Sequence, residues 1–539
     1  MSKSISRRRF LEESLIGITA AAGAAYAASA GTVLAQTPAR TIGPNDQIGV
    51  AVFGCGGQGG GHINAFRGID RTTILYLVDA DPTLGRTNDT QLDAIAETQR
   101  GVRPQRVPDM RRVLDDPAVD VVSIAATNHW HALATVWSLQ AGKHVYVEKP
   151  GNHNVHEGIA VAAAAAKYGK VVQIGTQARS AQACRQAVRF VQEGGIGEVN
   201  FVRAIVYRAG RRETIGRRSG IDVPANIDYN LWSGPAPLVP NLRRNFHYYW
   251  HWQRLYGNGD FGNQGTHQTD IARWFLNLYR HPNAIITYGN RAGLEERVPE
   301  GFEEVGDAAL QSVSILDYGD KCIVFEVRGL GTREGGRANA TAWQYTPDGS
   351  HHNFHISSAA RGNSRAGGNR GQVAVICYGS NGYVVSTDSY SYAAAYDLEG
   401  NLMREFTGGG NHRNNFLDAV VANNPAAVTA PASEAEYSGA IAHLSNISYY
   451  LGEKNEASPS YIKAALRGIR SLDNDDETVD RTVAYLEANN VELDFTPLSL
   501  GPLLTFNPET KRFIGNEAAN EMLTREYRAP FIVPKPEDV

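Results

Sequence analysis

The sequence predicts an N-terminal α/β domain built on a doubly wound parallel sheet, joined to an α+β domain with an open, largely antiparallel or mixed sheet. Three observations carry that prediction. From Asn45 to about Gln177 short apolar runs alternate with helical patterns; the first two runs flank the turn Gly54-Cys55-Gly56-Gly57-Gln58-Gly59; and from about Ala178 longer strands replace the alternation. Repeated β-α units of this length imply parallel strands, whereas grouped long strands imply a sheet carrying helices on one side. A chain of 539 residues also exceeds what one core usually serves.

The first 35 residues read as an address. Ser6-Arg7-Arg8-Arg9-Phe10-Leu11 precedes the Ala- and Gly-rich segment Leu15–Leu34, with Val33-Leu34-Ala35 or Ala28-Ser29-Ala30 as the cut. An arginine pair before a weakly apolar segment and small residues matches a twin-arginine export signal, and so many alanines and glycines argue against a membrane anchor of about 20 strongly apolar residues. Periplasmic or otherwise exported localisation is therefore expected, with no stable membrane span after cleavage. Residues 1–35 hold four basic and two acidic side chains, so their removal takes the net charge of −4 to −6. Nothing in that balance points to nucleic acid. The four cysteines show no close pairing, hence neither a disulfide framework nor a zinc motif.

Strand, glycine-rich turn, helix and strand are expected from Ile48 to Asp79. Gly54, Gly56 and Gly59 form G-x-G-x-x-G, where small residues permit the tight turn, close approach to a pyrophosphate, and packing of helix on strand. Helix amides beyond the turn, Gly57 and Gln58 among them, would face the phosphates. Asp79 follows Gly59 by twenty residues, where an acid accepts from the adenosine ribose hydroxyls and selects NAD over NADP. A mere glycine turn between buried strands would leave Asp79 unexplained. Further helices are expected near Leu92–Gln99, Met110–Leu114, Trp130–Gln140 (with Gly142 past its end) and Val155–Tyr168, and strands at Val119–Ala125, His144–Val147 and Val171–Gly175. Ligands bind beyond the carboxyl ends of such strands. Three ends carry polar residues: Thr127-Asn128-His129, with His131 just beyond; Glu148-Lys149-Pro150; and Thr176-Gln177.

Glu148-Lys149-Pro150, downstream of the glycine turn, resembles the Gfo/Idh/MocA family of sugar and cyclitol oxidoreductases. Asp228-Tyr229-Asn230-Leu231-Trp232-Ser233-Gly234-Pro235, Trp250-His251-Trp252 and Gly257–Trp274 resemble its exported, twin-arginine branch. The resemblance spans roughly Asn45 to Gly452. It implies a Rossmann domain (45–177), a substrate and oligomerisation domain (178–452) whose helices His412–Val421 and Tyr437–Leu451 pack back on the first, and an extension (453–539) after the 1–35 signal. It implies NAD, tightly held, with Gly54, Gly56, Gly57, Gln58, Gly59, Asp79, Thr127, Asn128, His131, Glu148, Lys149 and Gln177 as cofactor residues; a carbohydrate or cyclitol substrate; and a homo-oligomer formed through the C-terminal sheet. Lys149 carries over as the group on the reacting hydroxyl.

If Thr266–Asn277 is helical, Asn263, His267, Asp270 and Trp274 share one face. The family often has Asp, His and Asp at the first three places, so Asn263 departs from the pattern while His267 carries over as general base. The expected catalytic set is Lys149, His267 and Asn263, with Arg179, Asp260 and Asp270 joining Lys149, Asn263 and His267 around the substrate. Arg179 and Arg208–Arg218 otherwise read as a solvated or oligomer-facing cluster. Tyr248, Tyr249, Trp250 and Trp252 are sugar-stacking or core aromatics, and His351, His352 and His355 precede the loop-like Ser357–Gly371, so no metal is expected. Hydride transfer between a nicotinamide and a hydroxyl carbon is the reading these residues favour. The alternatives are an NAD-dependent glycoside hydrolase using transient sugar oxidation, and a non-catalytic exported sugar-binding protein.

Overall fold

The computed structural model describes residues 42–84, 87–207, 222–291, 305–330, 342–345, 351–354, 373–387 and 389–539. The expected signal at 1–35, the Arg208–Arg218 cluster, His355 and the segment Ser357–Gly371 lie outside the described residues.

The first domain builds strands β1 (Ile48–Phe53), β2 (Thr72–Val78), β3 (Gln105–Val107), β4 (Val121–Ile124), β5 (His144–Val147) and β6 (Val172–Ile174), joined by helices α1 (Gly57–Arg67), α2 (Asp89–Thr98), α3 (Arg111–Leu114), α4 (Asn128–Gln140) and α5 (Val155–Tyr168). All pairings are parallel and the order is β3-β2-β1-β4-β5-β6, so direction of winding reverses between β1 and β4. β1, β4 and β5 are buried along their whole lengths, which is why they read as unbroken apolar runs. Side chains mark the helix starts: Asn88 and Asn154 accept from the amides of Gln91 and Glu157. Gly142 follows α4 with φ +74°, the positive-φ stop expected there.

After α6 (Gln182–Gln192), the second domain runs through β7 (Val199–Tyr207), the short helices α7 (Tyr229–Ser233) and α8 (Gly259–Asn263), and α9 (Gly265–Phe275). It continues through strands β8 (Ala284–Asn290), β9 (Gln311–Asp317), β10 (Cys322–Arg328), β11 (Ala342–Tyr345), β12 (His351–Phe354), β13 (Val373–Gly379), β14 (Gly382–Thr387), β15 (Tyr392–Tyr396) and β16 (Leu402–Thr407) to α10 (His412–Val421) and α11 (Ser433–Gly452). The large sheet is mixed: β7 and β10 are parallel, and the other pairs are antiparallel. α6, α9 and α11 pack on one face. α11 also bridges the domains, placing Ala432 at its start and Ala435 in the first core, and Ala440, Ile441, Leu444 and Ile447 in the second. α10 packs Phe416, Leu417 and Val420 on Ile48, Val50 and Val52.

Helices do not keep to one side of this sheet. Residues 453–539 contribute α12 (Pro459–Leu466) and α13 (Asp475–Glu487), whose Ile462, Leu466, Val479 and Leu486 cover Tyr288, Val313, Ile315 and Val324 on the opposite face. Under α13, Arg203 pairs with Glu326 and with Asp473 at 2.5 Å, and Arg481 pairs with Glu326 at 3.0 Å. The apolar stripes of α12 and α13 need an apolar partner, and this face supplies it. Two further strands, Leu498–Leu500 and Leu504–Asn507, pair with β8, and the chain returns to bury Phe531, Val533 and Val539 in the first core. All four cysteines are buried and unbridged. Among the described residues no helix is long and apolar enough to cross a membrane.

Candidate active site

Gly54 ends β1 with φ +84° and its amide donates to Val78 O at 2.9 Å, tying the turn to β2. A Cβ on Gly59 would stand 1.8 Å from Gly54 O, so only glycine lets α1 start this close to the strand. A Cβ on Gly56 or Gly57 would meet nothing within 4 Å, and both glycines line a cavity of about 400 Å³. Asp79, at the end of β2, lines it too; its carboxylate accepts from the amides of Cys55 (2.8 Å) and Asp81 (2.9 Å). Burial raises its pKa, opposed by those two donors. Ala80, Leu84, Pro108 and Met110 add an apolar wall beside it.

The other strand ends converge on the same cavity. Glu148 Oε1 accepts from Gln58 Nε2 (3.0 Å), His62 Nε2 (3.1 Å) and Gln177 Nε2 (3.1 Å), fastening the glycine turn, β5 and β6 together. Burial alone would raise this carboxyl, but the His62 hydrogen bond and the charges of His62 and Lys149 hold it well below the usual range. Thr127, Asn128 and His131 line the cavity from the start of α4. His131 Nε2 lies 2.9 Å from Ala126 O, and burial lowers its pKa to about 4, so the ring is neutral near pH 7. Asn128 Oδ1 and His131 Nδ1 are buried without a hydrogen-bond partner among the described residues. A dinucleotide fits this set: open space above Gly56 and Gly57 for a pyrophosphate, a carboxylate at the β2 end for ribose hydroxyls, and two unsatisfied polar atoms for amide or hydroxyl groups.

Lys149, at the end of β5, donates to the carbonyl of Asn263, and both line the cavity with Gln264 and His267. The His267 ring lies 5.4 Å from that of Tyr390, and Gln264 Nε2 is 3.4 Å from the Tyr390 hydroxyl. Asn263 and His267 do not share one continuous helix. The chain breaks for one residue, Gln264, between α8 and α9.

Arg179, Asp260 and Asp270 do not line this cavity. Arg179 is buried rather than solvated: it forks onto Asp270 (Nε to Oδ2 2.9 Å, Nη2 to Oδ1 2.9 Å) and reaches Glu434 at 2.8 Å. Arg273 pairs with the same Glu434 at 2.7 Å, and Ser438 Oγ donates to Asp270 Oδ1 at 2.7 Å. The network fastens α9 to α11 and to the turn after β6, and breaking such a buried pair typically costs about 3–5 kcal/mol. Trp274 belongs to it as well, its ring 5.2 Å from the Arg179 guanidinium. Asp260 is buried inside α8.

Four lining residues come from a part of the second domain that sequence reasoning left open or unremarked: His247, Tyr248, Trp250 and His251. Trp250 is at once lining and core, packing with Trp232, Phe246 and Tyr256, while Trp252 is fully buried. His62 was missed altogether, because a histidine on the sheet-facing side of a helix has no local signature.

Residues 48–176 match the sequence model of an oxidoreductase family with an NAD-binding Rossmann fold, Gfo/Idh/MocA. A levoglucosan dehydrogenase of Pseudarthrobacter phenanthrenivorans is 27% identical over 180 residues, 33% of this chain and 38% of that protein. A scyllo-inositol 2-dehydrogenase (NAD+) of Bacillus subtilis is 28% identical over 126 residues, 23% of this chain and 37% of that one. The chain thus spans well under half the length of these relatives. A levoglucosan dehydrogenase solved with NADH and levoglucosan superposes with a TM-score of 0.50 at 16% identity, covering 74% of this chain and 95% of that one, which places the two-domain fold.

Proposed function

From a nucleotide domain that belongs to the Gfo/Idh/MocA oxidoreductase family, we infer that the whole chain is an NAD-dependent oxidoreductase acting on a hydroxyl carbon of a sugar or cyclitol. The observation that carries the reading is the meeting of Lys149 and His267, from different domains, in the cavity that begins at the glycine turn. NAD, when bound, supplies the hydride acceptor at its nicotinamide ring. The chain's own part is to bind, orient and move a proton. Amides of the first turn of α1 and the helix dipole hold the pyrophosphate, and Asp79 accepts from the adenosine ribose hydroxyls, favouring NAD over NADP. The Lys149 ammonium donates to the substrate oxygen and stabilises negative charge developing there. His267 takes the hydroxyl proton. Asn263 stands where relatives often carry a carboxylate, so it contributes no charge beside His267 and serves by positioning Lys149 through its carbonyl. Residues 1–35 support export by the twin-arginine route.

The test is a panel of free sugars, cyclitols and glycosides, followed both for nicotinamide absorbance and for product release, with wild type and Lys149→Ala. Oxidation of a free sugar or cyclitol by wild type alone is the expected result. Glycoside cleavage without net reduction of NAD would instead indicate the hydrolase, and nucleotide binding without turnover on any member would indicate a binding protein.

A further inference from the structure

Residues 226–256 share the cavity with the glycine turn: Gly54, Gly56 and Asp79 line it, and so do His247, Tyr248, Trp250 and His251. A dinucleotide seated on the turn with its ribose at Asp79 therefore has this segment beside its adenosine half. The segment is fastened to the first domain beside Asp79. Asn226 Nδ2 donates to Asp81 Oδ1 (2.7 Å) and Thr83 Oγ1 (2.8 Å), the Asp228 amide donates to Ala80 O (3.0 Å), and His247 Nε2 lies 2.9 Å from Asp81 Oδ2. Asp81 is itself linked to the ribose acid through its amide on Asp79 Oδ1.

The same segment is held from behind by the end of the chain. Arg528 Nη2 donates to the carbonyls of Asn230 (2.8 Å) and Gly234 (2.9 Å), its Nη1 to Asn230 Oδ1 (2.6 Å), and Arg525 Nη1 to Leu255 O (2.9 Å). Within the segment, Arg243 is fully buried with its guanidinium 4.1 Å from the Trp232 ring centre and 4.4 Å from that of Phe246, which ties the aromatic cluster together.

We propose that residues 226–256 form a clasp over the adenosine half of a bound nicotinamide dinucleotide, latched on Asp81 by His247 and seated by Arg528, and that nucleotide enters and leaves only when the latch opens. His247 and Arg528 are positioning residues in this account. It rests on the NAD-binding reading above and gives the C-terminal extension a role in cofactor residence. Polar fastenings on an apolar body suit such a part: the body stays intact while a few hydrogen bonds decide whether it is docked.

The experiment uses the full-length protein as wild type, His247→Ala, Arg528→Ala and Arg528→Lys. NADH binding and its displacement by excess NAD are followed by stopped-flow fluorescence, with thermal unfolding of the nucleotide-free proteins alongside. His247 is partly exposed (side chain 40%), so its variant keeps the fold even if Arg528→Ala does not. Loss of one charge-assisted hydrogen bond from the latch should raise both the association and the dissociation rate by about tenfold to a hundredfold, with Arg528→Lys intermediate and His247→Ala still folded and unfolding in one cooperative transition. Unchanged rates in His247→Ala overturn the clasp and leave the NAD reading standing. A faster dissociation with unchanged association also overturns it, since His247 would then be a direct nucleotide contact and not a gate. A wild type that binds no NADH overturns the functional reading itself.

Discussion

Adding one methyl group at Gly59 or at Gly56 should give opposite results, although both glycines belong to one six-residue turn. At Gly59 the new Cβ would lie 1.8 Å from the Gly54 carbonyl oxygen and 2.7 Å from its carbon, both main-chain atoms, and contacts under 3.0 Å essentially never occur. The turn or α1 must shift by more than 1 Å, against a β1 that is buried throughout. Overpacking of this kind costs about 1–3 kcal/mol, and the shift misplaces every amide that faces a pyrophosphate. At Gly56 φ is −70° and a Cβ meets nothing within 4 Å. Gly56→Ala should therefore stay within about 0.5 kcal/mol of wild-type stability, while its methyl fills space over the turn and weakens NADH by about tenfold or more. The assays are denaturant unfolding without nucleotide and a fluorescence titration with NADH. Wild-type stability in Gly59→Ala, or wild-type NADH affinity in Gly56→Ala, would show that the turn does not carry the nucleotide in the way described.

Lys149→Ala should lower kcat by about 10²–10³ with NADH affinity within a few-fold of wild type, and a loss of NADH binding in step with activity would make the lysine a cofactor ligand instead. Asp79 should make NAD bind at least tenfold more tightly than NADP, because a buried carboxylate repels a 2′-phosphate; equal dissociation constants would place the acid elsewhere. The fold should be acid-labile. Burial lowers the pKa of His131, His144 and His412 from 6.5 to about 4 and of His129 and His443 to about 3, so the unfolded chain takes up these protons first and stability is lost as pH falls below 6.5. Each such group weakens the fold by up to about 1.4 kcal/mol per pH unit below 6.5, so several acting together reach the order of a domain's whole stability. Glu157, raised by burial to about 7, opposes this with the other sign. Cooperative unfolding between pH 6 and 4 in a circular-dichroism titration is expected, and a native signal at pH 4 would contradict it.

Much of the first domain was legible because its signals are local. β1, the glycine turn and Asp79 lie within 32 consecutive residues, and each strand buried on two faces prints an apolar run. Lys149 was legible for the same reason, as a residue at a strand end. What failed was long-range. Arg179 and Asp270 are 91 residues apart, and Glu434 stands 255 residues from Arg179; no spacing rule distinguishes a charge that will be buried in an ion pair from one left for a substrate. Asn263 and His267 do meet in one cavity, but the one-residue break at Gln264 between α8 and α9 was not legible, because it carries no proline and its flanking glycines look like those of a helix that packs closely. The placing of 453–539 across both domains, with Arg528 reaching Asn230, 298 residues earlier, had no sequence signal at all.

The central claim, that a hydroxyl carbon gives hydride to a nicotinamide held between Gly54 and Lys149, is tested most directly by isotope transfer. The protein is incubated with NAD and a panel of sugars and cyclitols deuterated at their carbinol carbons, and the nicotinamide recovered after denaturation is analysed by mass spectrometry. Deuterium in the recovered nucleotide with at least one substrate, lost in Lys149→Ala, is the predicted result. Nucleotide that is bound yet carries no deuterium with any member of the panel would contradict the account.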